Sequence, residues 1–246
     1  MVKKVLVILG LCLLAGYIIF AAWFFEEKPK EGVCAKFEIN IENKQEGSFV
    51  DLAEIEKEID KKGLLPYGKQ LKEINTLELK EAVEENQLIK SAQVYMTSDK
   101  GIRVAVTERV PVLRVMNNSG ESYYVDGDGQ RMPLSKNFTA YLPIATGAVS
   151  EKFATTELYK FAMYLSSDSF WEAQVEQIVV SGKNEIGFIP KVGNHKIILG
   201  TLEGYEQKLE RLKLFYAKGL TATGWNRYST IDLRYDKQVV CTKQTN

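Results

Sequence analysis

SAQVYMTSDKGIRVAVTERVPVLRV, residues 91–115, reads as a hairpin, an acidic-basic joint and the first strand of a second domain. Val94 and Met96 alternate with polar neighbours, and Ser98-Asp99-Lys100-Gly101 supplies a turn in which Gly101 is free to take positive φ. Ile102, Val104 and Val106 alternate with Arg103, Ala105 and Thr107, the period-2 pattern of a half-buried strand. Glu108-Arg109-Val110 leads to Pro111, which has no N–H to give a ladder and suits a strand start. Val112, Leu113 and Val115 open the next apolar strand. Residues N-terminal to this stretch carry mostly helical patterns, and those C-terminal to it carry mostly β patterns.

Upstream, Ala35, Phe37, Ile39 and Ile41 alternate with charged and polar residues from Cys34 on, an amphipathic strand. Ser48 with Asp51 three residues later predicts a helix start, with Leu52, Ile55 and Ile59 on one face. Lys61-Lys62-Gly63 predicts its end. After a loop holding Pro66 and Gly68, Asn75 and Glu78 open a second helix whose apolar positions are Leu77, Leu79, Ala82 and Val83. The order is β-α-α-β-β, over residues 34–109.

Val5 to Phe25 is 21 residues without a charge. At a rise of about 1.5 Å per residue it is long enough to cross a bilayer's hydrocarbon core. Lys3 and Lys4 hold residues 1–4 in the cytoplasm, and Trp23 suits the far interface. The run is longer than a signal-peptide core and ends in bulky Trp23-Phe24-Phe25, so an uncleaved anchor over 5–25 is expected, with a charged linker over 26–33. Lys+Arg and Asp+Glu number 32 each. Setting aside Lys3 and Lys4, residues 26–246 carry 30 basic against 32 acidic side chains, a net charge of −2. That balance lacks the basic stripe of a nucleic-acid binder.

Downstream, Tyr123-Tyr124-Val125-Asp126 runs into Gly127-Asp128-Gly129, a hairpin signal, and Arg131-Met132-Pro133-Leu134 returns. Asp126 and Asp128 lack the further oxygens of a calcium loop and read as a turn. Residues 151–166 carry Phe153, Leu158, Phe161, Ala162 and Leu165 at helical spacing. Strands follow at 175–180, 185–189 and 196–199. A final helix over 203–218 has Tyr205, Leu209, Leu212, Phe215 and Tyr216 on one face, with Lys208, Arg211 and Lys213 read as solvated elsewhere. The C-terminal pattern is Ile231-Asp232-Leu233-Arg234-Tyr235, a turn at Asp236-Lys237, and a last short strand over 238–241.

One membrane anchor, a β-α-α-β-β unit and the run V-x-V-T-E-R-x-P-V (104–112) together resemble the FtsQ/DivIB bacterial cell-division proteins, with the first unit similar to their POTRA domain. Leu-Pro-x-x-x-Gly at 142–147, Lys-Ile-Ile-Leu-Gly at 196–200 and Ile-Asp-Leu-Arg-Tyr at 231–235 resemble the family's second domain, and Tyr123 to Asp126 with Met132-Pro133 resembles its Bacteroidota form. The chain departs from the pattern in having almost no tail after the last strand. The expected fold is α+β: a single N-terminal transmembrane helix, a POTRA domain, then a mostly antiparallel β-domain with two helices over 110–246. The resemblance implies a non-enzymatic inner-membrane protein with its bulk in the periplasm, placed at the division septum. It implies FtsB/DivIC-like and FtsL-like bitopic coiled-coil partners.

A partner-binding edge is expected at Arg234, Tyr235, Lys237, Val239 and Val240. The chain ends soon after, which leaves an edge that Lys237 alone guards. A domain joint is expected at Glu108, Arg109 and Pro111. No catalytic, cofactor or metal residues stand out: His195 is the only histidine, beside Asn194 and read as a surface residue, and no phosphate loop or zinc spacing occurs. Cys12 lies in the apolar run, and Cys34 and Cys241 near opposite ends of the remainder read as free thiols. A POTRA chaperone that pairs its sheet edge with exported polypeptides is the alternative. A cell-wall enzyme is a third reading.

Overall fold

A computed structural model of the chain describes residues 13–20, 32–43, 47–220 and 224–244. Residues 13–20 are helical and exposed; the rest of the expected anchor, 5–25, lies outside the described residues. Among those described, no helix is long and apolar enough to cross a membrane.

The first unit is β1 (Lys36–Ile41), α1 (Leu52–Lys61), a 3₁₀ turn (Leu71–Glu73), α2 (Thr76–Glu84), β2 (Ile89–Met96) and β3 (Gly101–Glu108). The sheet order is β1-β3-β2, with β1 parallel and β2 antiparallel to β3. The central place of β3 explains a departure from its half-buried reading. Ala105 is buried like Ile102, Val104 and Val106 because a strand flanks it on each side, while Arg103 and Thr107 on the same face stay part-exposed.

Asp51, not Ser48, caps α1, accepting from Ala53 N at 2.9 Å. Asn75 caps α2 through Leu77 N and Glu78 N. On α2, Leu79, Ala82 and Val83 are buried while Leu77, in the first turn, stays exposed. In the hairpin, Lys100 rather than Gly101 takes the left-handed conformation, at φ 61°. Gly101 is needed for space: a Cβ there would lie 2.7 Å from Thr97 Oγ1 and 3.1 Å from Lys36 O.

The second unit is one nine-stranded sheet. Its strands are β4 (Pro111–Asn117), β5 (Ser122–Asp126), β6 (Arg131–Met132), β7 (Ile144–Gly147), β8 (Val175–Val180), β9 (Ile186–Pro190), β10 (Lys196–Gly200), β11 (Tyr228–Asp232) and β12 (Val240–Lys243). Their order is β12-β11-β10-β9-β8-β7-β4-β5-β6. Five junctions are antiparallel and three, β4–β7, β7–β8 and β10–β11, are parallel. The parallel junctions arise where longer connections, two of them helical, return the chain to the same end of the sheet.

The helical segments are α3 (Glu151–Phe153), a π turn (Ala154–Leu158), α4 (Tyr159–Ser167), α5 (Ser169–Gln174) and α6 (Tyr205–Phe215), which runs into a second π turn (Tyr216–Leu220). The six-residue α5 is one helix more than the two expected; it is too short to show a periodic stripe. Phe153, Leu158, Phe161, Leu165, Trp171, Leu209 and Leu212 from these helices bury against Leu113, Val115, Ile178, Phe188, Ile197 and Ile231 from the sheet.

Candidate functional site

Two places hold the residues singled out from the sequence: the junction of the two sheets, and the far end of the larger one.

At the junction, successive side chains of an extended chain point to opposite sides, and Glu108 and Arg109 use that alternation to grip both units. Glu108 is 4% exposed. Its Oε1 accepts from Val50 N at 2.9 Å and from Ser48 Oγ at 2.6 Å. Its backbone is clasped by Asn43, whose Oδ1 accepts from Glu108 N at 2.8 Å and whose Nδ2 donates to Glu108 O at 3.0 Å. Ser48 is therefore a joint residue, not a helix cap.

Arg109 reaches the other way, donating from Nη1 to Asp126 Oδ2 at 2.8 Å. The other oxygen of Asp126 accepts from Asp128 N and Gln130 N, so the buried carboxylate organises its own turn as well as the junction. Lys90 Nζ adds a contact to Asp128 Oδ2 at 2.6 Å. Pro111 begins β4 opposite Asp126, a strand start where the missing N–H is tolerated.

The segment gripped by Glu108 carries Phe49 across to the second unit. Phe49 meets Tyr124 and Phe138 edge-on, at 5.7 and 5.1 Å between ring centroids, beside fully buried Met132. Ser135 Oγ donates to Phe49 O at 2.5 Å. Nothing local in the chain marks Phe49 out, because its ring partners lie far away in sequence.

At the far end, β12 pairs with β11 through Asp232↔Val240, Ile231↔Cys241, Thr230↔Thr242 and Tyr228↔Lys243. Among the described residues nothing pairs with its other side. The strand starts two residues later than expected. Lys237 is left-handed, at φ 55°, and the turn uses up Gln238. Of the five residues expected at a partner edge only Val240 lies on the strand, and it is 41% exposed.

Val239 packs on the core, and Tyr235 is exposed in the connection. The Arg234 guanidinium is taken up by Asp232, with Nε at 3.0 Å from Oδ1 and Nη2 at 2.7 Å from Oδ2. That hydrogen bonding holds the Asp232 carboxyl below its ordinary range. Gln244 N donates to Arg227 O at 3.0 Å. By the alternation of an antiparallel ladder, Val240 and Thr242 then bond towards β11, and the main-chain groups of Cys241 and Lys243 face outward.

Two further readings change, and that of the cysteines stands. Lys208, Arg211 and Lys213 are not idle solvated cations: they hold Thr201 O, the carbonyls of Leu233 and Tyr235, and the Asp168 carboxylate. His195 is buried, not on the surface, with Nε2 2.9 Å from Tyr216 Oη and its ring near Trp225. Cys34 and Cys241 are free thiols packed against separate cores, and burial pushes the Cys241 thiol up. Among the described residues no cluster of three His, Cys, Asp or Glu side chains could hold a metal.

A family model described as FtsQ/DivIB, C-terminal related, matches residues 110–242, more than half of the chain. The chain belongs to the FtsQ/DivIB family. A POTRA-like domain model matches residues 32–107, so the two matches leave Glu108 and Arg109 between them. The cell division protein FtsQ of Rhodothermus marinus is 24% identical over 190 residues, which are 73% of this chain and 69% of that protein. FtsQ/DivIB membership makes this a cell-division protein of a non-enzymatic family.

Proposed function

We propose that this protein is a bitopic inner-membrane scaffold of the division machinery that captures other small bitopic division proteins along β12, promoting septal peptidoglycan assembly. Residues 1–4 lie in the cytoplasm, 5–25 cross the membrane, and the POTRA and β units over 34–109 and 110–246 work in the periplasm. The partners are coiled-coil proteins of the FtsB/DivIC and FtsL kind. The observation that carries this reading is the side of β12 left open among the described residues, where Cys241 and Lys243 turn main-chain groups outward beside exposed Val240. An added strand would draw affinity from those groups and selectivity from alternate side chains. Tyr235 and Lys237 flank its entrance, and Arg234 serves from its pairing with Asp232.

The chaperone reading requires an equally open edge on the first sheet. There the long edge strand β2 is guarded: Glu84 reaches over from α2 and accepts from Ala92 N at 2.8 Å. The start of β1 is covered by the Val33↔Gln70 bridge. A guarded edge disfavours strand addition.

The test is Lys243→Pro, which removes an outward donor at the edge and leaves the β11 ladder in place. Small bitopic proteins recovered with the wild type from cross-linked membranes should be lost with the folded variant. Unchanged recovery would contradict the reading. A fluorescent fusion should concentrate at mid-cell, and a uniform envelope signal would count against it.

A further inference from the structure

An edge strand offers a partner a usable template only if its register is held before the partner arrives. β12 is four residues long and bonded on one side, and seven residues separate it from β11, so its own ladder is weak support. We infer that Arg211, on α6, is a positioning residue that holds β12 in register; this rests on the proposed reading of β12 as the partner edge.

Arg211 Nη2 lies 3.1 Å from Leu233 O and 3.4 Å from Tyr235 O, where the chain has just left the β11 ladder. One amino group with two protons can serve both carbonyls, and the planar guanidinium sets their spacing. The same few residues are fixed from the other side. Leu233 N donates to Ile198 O at 2.8 Å, and Asp232 Oδ1 accepts from Arg234 N at 3.0 Å. The Arg234 stem lies across Gly200, where a Cβ would come within 2.7 Å of Arg234 Cγ.

The base of the connection is thus held by α6, β10 and β11 together. Beyond it, residues 236–239 have the long Gln238 N to Tyr235 O contact, at 3.5 Å, as their main-chain tie before β12 begins. Freeing the Leu233 and Tyr235 carbonyls lets that base swing, and β12 frays while the rest of the sheet, packed through Leu209 and Leu212, stays closed.

The experiment is amide hydrogen exchange on the full chain and on Arg211→Gln and Arg211→Lys, followed in residues 240–243 at the Val240 and Thr242 amides, which bond towards β11, and, as reference, in β8 and β9. Arg211→Lys keeps the charge without the fork, so it serves if Arg211→Gln fails to fold. Both variants should exchange about tenfold faster in 240–243 with β8 and β9 unchanged. Unchanged exchange in 240–243, or equal acceleration everywhere, would overturn the inference. Recovery of bitopic proteins from cross-linked membranes is read in parallel. Fraying of β12 without loss of that recovery would support the positioning role and contradict β12 as the partner edge.

Discussion

Phe49 stands edge-on to Tyr124, ring centroids 5.7 Å apart, although one belongs to the three-stranded unit and the other to the nine-stranded sheet. The contact is the centre of a small apolar cluster with Met132, Phe138 and Leu88, and Leu88 packs on the core of the first unit as well. The two units thus share buried surface at their joint. Replacing Phe49 with Ala should cost about 3 kcal/mol, in the range for a buried aromatic. In urea, far-UV circular dichroism reads both units, while the described tryptophans, Trp171 and Trp225, report only the second. The two signals should coincide for the wild type and separate in Phe49→Ala. Separate transitions in the wild type would show that the junction does not couple them.

Glu108 presents the complementary case, in which the gripping group is polar. Glu108→Ala leaves Val50 N without its acceptor in a buried place and takes from Ser48 Oγ one of its two acceptors, the other being Val50 O, a loss of about 2 kcal/mol. For a chain of this size that lowers Tm by roughly 4–8 °C. Ser48→Ala removes one of the two bonds and should fall between variant and wild type. A thermal melt of each decides it, and an unchanged Tm for Glu108→Ala would remove the carboxylate from the joint's support.

His195 makes stability depend on pH. Burial lowers its pKa below the ordinary 6.5, partly offset by the Trp225 backbone. Its ring neighbours are Tyr216 and Trp225; burial raises the Tyr216 hydroxyl, which stays neutral. The folded imidazole is therefore neutral where the unfolded one takes up a proton. The contribution is complete above pH 6.5 and is lost as the pH falls from there towards the folded value, by at most about 1.4 kcal/mol per pH unit. Urea midpoints measured from pH 7.5 to 5 should fall more steeply for the wild type than for His195→Gln. Parallel slopes would mean the imidazole carries no linkage.

The parts of this protein that could be read from sequence are those whose cause is local. β1 and β3 show period-2 alternation, and Asn75 caps the helix that begins one residue later. The apolar stripe of Leu209, Leu212 and Tyr216 repeats at helical spacing. What was illegible depends on distant partners. Ser48 looks like a cap until Glu108, 60 residues on, takes its hydroxyl. Arg211 looks solvated until Leu233 and Tyr235 are brought to it. His195 looks exposed beside Asn194 and Lys196 until Tyr216 and the segment before β11 close over it. For the edge, the turn at Asp236-Lys237 could be read from sequence, but Thr242 and Lys243 on β12 could not, because only pairing with β11 defines where that strand ends.

The central claim is that β12, not the POTRA edge β2, receives the partner strand. Photo-crosslinking in dividing cells tests it most directly, with a photoreactive residue placed in turn at Thr242 on β12 and at Tyr95, which is 42% exposed on β2. Thr242 should give adducts with small bitopic membrane proteins, lost on adding Lys243→Pro, and Tyr95 should give none. Adducts from Tyr95 with extended exported polypeptides, and none from Thr242, would contradict the account.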